Sequence, residues 1–208
     1  MTMLQRLPYL DRAISIDHSV EHSIRDYHVK GFDYICVRRS PTETIKLYFF
    51  DGDVTRLPEV VNPHDHRYDF DTWVIAGASE NVWFDLDPRG QRFNRFHYRT
   101  PLNGGNGFIF AEEVNLAETR RLQREAGEHY FMHADELHTI RIVENETVLM
   151  LRQREDVVPL GVPTSTFARG DAPSLSGLYS RFTADEIIAR LRRLHERTGI
   201  DLLGGGSG

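Results

Sequence analysis

NPHDHRYDFDTWVIAG, residues 62–77, places two histidines two positions apart, just ahead of an aromatic and β-branched run that ends in glycine. In an extended chain positions i and i+2 share a face, so His64 and His66 can reach one metal ion together. Pro63 favours an extended or turn conformation here, whereas a helix would splay the pair by about 200°. For the pair taken alone, two histidines of a polar surface loop are the competing reading. DTWVIAG has the composition of a β-strand.

The same texture extends in both directions. FDYICVRR (32–39) and TIKLYFFDGD (44–53) read as two strands joined by a turn at Ser40-Pro41. Downstream, ENVWFDLD, QRFNRFHYR, GFIFAEEVNL, TRRLQRE, HYFMH, HTIRIV and TVLMLRQR follow one another, with Gly, Asn, Asp or Pro at most of the breaks. Many short strands at near-regular spacing predict a sandwich or barrel. The chain is expected to divide into an N-terminal arm (1–30), a barrel (31–155), a connection with a C-terminal helix (156–203) and a Gly-Ser tail (204–208). Within the arm, Ile14, Ile16, Val20 and Ile24 allow a short helix or a segment packed on the barrel. Val157 to Phe182 reads as a long surface connection or lid. Thr183 and Glu186 then stand at capping-box spacing. Ile187, Ile188, Leu191 and Leu194 recur at helical spacing, with Arg190, Arg192 and Arg193 facing away and Gly199 as the stop.

At 208 residues the chain suits one domain with a substantial core, and 40% hydrophobic with 27% charged residues is ordinary for a globular protein. A net charge of −6 argues against general nucleic-acid binding, which clustered Lys and Arg would have to supply. A single cysteine, Cys36, excludes an intramolecular disulfide and any cysteine-based zinc site, and reads as a buried strand residue. No stretch approaches a membrane span and the first residues lack a signal-peptide core, so a cytoplasmic protein is expected.

The histidine pair gains meaning from a resemblance to the cupin family. His64, His66, three residues, Phe70, six residues and Gly77 keep the spacing of the first cupin motif, with Phe70 where that motif has Glu. Gly127, five residues, His133, one residue, Asp135, two residues and His138 keep the register of the second, with its Pro and second Gly replaced and its final Asn falling on Ile142. The resemblance covers residues 64–142. It implies an all-β, cupin-type jelly-roll barrel and makes His138 a third metal ligand beside His64 and His66. If Phe70 occupies the ligand face, Asp69 and Asp71 point away, and Asp71 becomes a fourth ligand only if the register slips by one.

Three neutral imidazoles leave an ion's charge intact and its other positions open. The resemblance to cupin dioxygenases with an all-histidine site implies Fe(II), dioxygen and a small anionic or chelating substrate. A Zn, Mn or Ni enzyme acting by Lewis-acid chemistry is the alternative, and a non-catalytic ligand-binding cupin is a second one. Arg67, Arg99 and Arg141 are candidate clamps for a substrate anion, Arg67 first because it follows His66; Arg95 and Arg152 are weaker candidates. Tyr68 and His97 are candidates for proton handling, with Tyr98 and Tyr130 as further possible ligand contacts. His129 and His133 form a competing HxxxH pair. A homodimer is expected, because the arm and the edge strands need partners.

Overall fold

The structure, a computed structural model, describes residues 9–10, 13–100 and 104–204. The first eight residues of the expected arm and Gly205 to Gly208 of the expected tail lie outside the described residues. Among the described residues ten strands, numbered in chain order, form two antiparallel five-stranded sheets. The first sheet has the order β1 (Phe32–Arg39), β2 (Thr44–Phe50), β9 (Thr147–Asp156), β4 (Tyr68–Ala76), β7 (His129–Met132). The second runs β10 (Thr164–Ala168), β3 (Val61–His64), β8 (His138–Ile142), β5 (Ala78–Arg99), β6 (Gly107–Glu125). β10 also pairs with the far half of β5, so this sheet curls round on itself. The all-β barrel with a C-terminal helix that the sequence implies is the architecture observed.

Strand alternation builds the first sheet as a partition. Ile35, Ile45, Leu47 and Phe49 point outward into an apolar layer, while Tyr34, Lys46 and Tyr48 point between the sheets. α2 (Ala184–Thr198) covers the outward layer with Ile187, Leu191 and Leu194. It starts at the capping box of Thr183 and Glu186 and stops at Gly199, whose φ of 75° is the left-handed cap. Arg192 and Arg193 face solvent, but Arg190 does not: it turns inward to Asp33 and Asp51. On the same side, α1 (Ile16–His22) is tied to β1 through Cys36, whose carbonyl accepts from Ser19 Oγ and whose N–H donates to Ser23 Oγ.

Two strands were not expected. β3 carries His64 and is only four residues long, and β10 lies inside the segment read as a loop. ENVWFDLD and QRFNRFHYR are one strand, β5, in which Leu86 and Gln91 both oppose Leu116, so that Asp87 to Gly90 bulge out. GFIFAEEVNL and TRRLQRE likewise merge into β6. Gly77, the glycine of the first motif, turns β4 into β5 at φ 74°; a Cβ there would lie 2.3 Å from Thr147 Oγ1. Among the described residues no helix is long and apolar enough to cross a membrane.

Candidate metal centre

Register assembles the site. His64 on β3 is paired with His138 on β8 and with Thr166 on β10, and His138 is paired in turn with Trp83 on β5. His66, past the end of β3, is held by its backbone N–H, which donates to Ala134 O at 2.8 Å. One nitrogen from each of the three imidazoles lies within 4.8 Å of the others. The ring centroids are 4.5 to 5.1 Å apart. Phe70, at the position where the first cupin motif has Glu, packs 4.7 Å from the His66 ring. Asp71 faces the other way and binds Arg154 at 2.9 Å and His129 at 3.2 Å, so the register has not slipped. His129 and His133 are exposed on the far side and do not join His138.

The donor set fits a divalent ion. His64 Nδ1 donates to Asn62 O at 2.8 Å, and His138 Nδ1 faces Asn81 Oδ1 at 3.0 Å. Those partners fix both rings with Nε2 as the free lone pair. His138 Nε2 is buried without any partner, an orphan that an ion would satisfy. His64 Nε2 and His66 Nε2 stand 3.1 Å apart, where two lone pairs repel unless a proton or cation lies between them. Two nitrogens each about 2.1 Å from one ion are separated by roughly that distance. Burial also keeps the imidazoles neutral, the form that ligates. It lowers His64 to about 4, and it puts His66 and His138 well below the usual histidine range, helped by their histidine neighbours.

The three histidines line a cavity of about 1530 Å³ between the sheets. Tyr68 is on its wall, 5.9 Å from the His66 ring, with burial holding its hydroxyl protonated far above the usual range. Tyr98 and Tyr130 line it too. His97 does not: it is exposed, because it alternates with the inward-facing Tyr98. Arg141 likewise alternates away from His138 and pairs with Glu80 on the outer surface. Arg67 reaches the rim, but its guanidinium donates to the carbonyls of Val158, Pro159 and Val162. Arg99 similarly donates to Gly161 O at 2.6 Å. Both arginines therefore pin the 157–162 strap at the rim and do not present a free fork to a ligand. Arg95 binds Ser165 and Glu112, and Arg152 binds Glu43 on the first sheet.

Sequence reasoning missed two side chains that face the cluster or its cavity. Asn81 is an unremarkable polar residue in a strand until β5 is paired with β8, which sets it beneath His138. Lys46 is a cation on the cavity wall, and the signal was there: it is the only charge in TIKLYFF, a strand apolar on both faces.

Barrel and cluster together define a cupin-type fold with a buried three-histidine centre, as the two motifs imply. No family model and no curated protein matches the chain. Among solved structures it is similar to KdgF from Halomonas sp., at 18% identity over 65% of this chain and 90% of that one, with a TM-score of 0.36. A cupin superfamily protein from Desulfitobacterium hafniense is 13% identical over 59% and 76%, TM-score 0.35. The hydroxypropylphosphonic acid epoxidase of S. wedmorenis is 11% identical over 64% and 56%, TM-score 0.40.

Proposed function

We propose that the protein is a mononuclear non-haem iron oxygenase that holds Fe(II) at His64, His66 and His138 and acts on a small molecule in the adjoining cavity. The observation that carries this reading is the orphaned, neutral Nε2 of His138 converging with two further imidazoles where, among the described residues, no carboxylate joins the cluster. When bound, the ion would supply electron transfer between substrate and dioxygen at its open positions. The chain's own residues do the rest. Asn62 and Asn81 orient two of the rings, and Phe70 and Trp83 keep the cluster's flank apolar. The hydroxyl of Tyr68, kept protonated by burial, is a hydrogen-bond donor on the cavity wall beside His66.

A Lewis-acid reading with Zn, Mn or Ni is favoured by one feature. Burial brings the Lys46 amine down to about 8, close enough to neutrality to take up a proton inside the cavity. The deciding experiment is elemental analysis of protein purified without added metal, paired with oxygen uptake after anaerobic Fe(II) loading. Iron at one per chain with substrate-dependent uptake supports the oxygenase. Zinc occupancy with no uptake across thiols, diketones and catechols overturns it in favour of the Lewis-acid enzyme.

A further inference from the structure

Lys46 has an unusual environment for a lysine. It stands in the middle of β2 on the face turned between the sheets, opposite Leu151 of β9 and Cys36 of β1. Its ammonium lies 5.2 Å from the Tyr34 ring centroid and 5.8 Å from that of Tyr68, and it donates one hydrogen bond, 3.0 Å, to Gln153 Oε1. Among the described residues no carboxylate comes within 4.0 Å of it. Glu43 is held by Arg38 and Arg152 and Asp65 by the Ser165 N–H, while Asp156, whose charge favours the protonated lysine from beyond that distance, also stands beside Arg67. An enclosed cation with no carboxylate in contact is costly to maintain, and the two ring faces offset only part of that cost.

We propose that Lys46 is the anion anchor of the cavity, holding the carboxylate of a flat aromatic acid whose far end reaches the three histidines. The inference rests on reading the cavity as the substrate chamber of the metal centre. Three features of the walls set the ligand's class. The ammonium has a donor left for an oxyanion, since only one of its three protons is committed to a side-chain oxygen. Tyr34, Tyr48 and Tyr68 surround the anchor with ring faces and edges, which favour an aromatic body. Tyr68 also bounds the distance: its ring centroid lies 5.8 Å from the Lys46 ammonium and 5.9 Å from the His66 ring, which puts the two ends no more than about 12 Å apart, within the span of a single-ring acid with a contact at each end. A divalent ion on three neutral ligands would add positive charge at the far end and further favour an anion. Lys46 thus takes the role that sequence reading gave to Arg67, whose donors are spent on backbone carbonyls.

The test uses 4-fluorobenzoate and its uncharged counterpart 4-fluorobenzamide as probes, followed by fluorine NMR on the intact protein with and without zinc. The wild type is expected to bind the acid about tenfold or more tighter than the amide, in both metal states. In the metal-free protein Lys46→Met, close in shape, should bring the acid-to-amide affinity ratio near one, while Lys46→Arg should retain the preference. Should Lys46→Met fail to fold, as judged by circular dichroism, Lys46→Gln decides on the same readout. Equal binding of acid and amide by the wild type, binding of neither, or an undiminished acid preference without the lysine in the metal-free protein overturns the anchor. Elemental analysis of the same samples separates the two readings. Acid preference in a protein that holds no metal leaves the anchor standing and removes the metal centre, whereas metal without acid preference does the reverse.

Discussion

Asn81 shows how much of a metal site depends on a residue that never touches the ion. Its Oδ1 is the acceptor that fixes His138 with Nε2 free, and it is buried, so no water replaces it at once. Replacing Asn81 with Leu should lower metal affinity about 10- to 100-fold and leave the far-UV circular dichroism unchanged. Isothermal titration with Zn²⁺ checks this; unchanged affinity would show that the barrel alone orients the ring. His28 is a second residue whose surroundings set its chemistry. It accepts or donates at Nδ1 to the Tyr179 hydroxyl, 3.2 Å away, and packs against Tyr27. Burial, with smaller contributions from His64 and Lys46, lowers its pKa to about 3. In the unfolded chain the value returns to about 6.5, so the unfolded state takes up a proton first as pH falls. The stability contributed by neutral His28 is therefore complete above about pH 6.5 and lost progressively toward pH 3. His28→Asn suits the left-handed backbone there, φ 71°, and should shrink the fall in urea midpoint between pH 7 and pH 5. An identical fall in both proteins would place the acid sensitivity elsewhere.

Elements differ in how legibly the sequence specifies them. The bounds and apolar face of α2 could be read because their signals are local: a capping box, apolar residues at helical spacing and a terminal glycine. β3 and β10 could not, because four or five residues of Pro, His, Ser and Thr hold no periodic signal and become strands only through partners distant in the chain. The site divides in the same way. His64 and His66 were legible as an i, i+2 pair, and His138 through the register of a second motif. His97 and Arg141 were misplaced although period-two alternation puts each on the face opposite a cavity-lining neighbour, Tyr98 and Ile140. Arg190 was misread for a different reason. Helical spacing shows which face it occupies, but not that β1 and β2 present Asp33 and Asp51 to it. Arg190→Met should therefore destabilise the fold by about 3 kcal/mol, because it leaves the Asp33 carboxylate buried without its partner. Urea unfolding measures the loss, and Asp33→Asn in the same background should recover part of it. A cost near zero would mean that the pair contributes no more than an exposed one.

At the scale of the whole molecule, the division of labour is between sheets. The first sheet has apolar layers on its outer side, closed by α2, and an aromatic inner wall carrying Lys46. The second sheet supplies His64 and His138 from strands that pair directly, so the centre is assembled by hydrogen-bond register before any ion arrives. This pairing predicts a fold that does not need the metal, in contrast to small zinc domains whose core is the ion. Metal-free protein should unfold cooperatively, and Zn²⁺ should stabilise it by mass action. At 100 times its dissociation constant the ion adds about 2.7 kcal/mol, which for a chain of this length raises the midpoint of thermal unfolding by roughly 5–10 °C. The His138→Ala variant should keep the far-UV spectrum and lose the zinc-dependent shift. A metal-free protein without a cooperative transition would make the ion structural, and a shift that survives in His138→Ala would put the ion away from the three histidines.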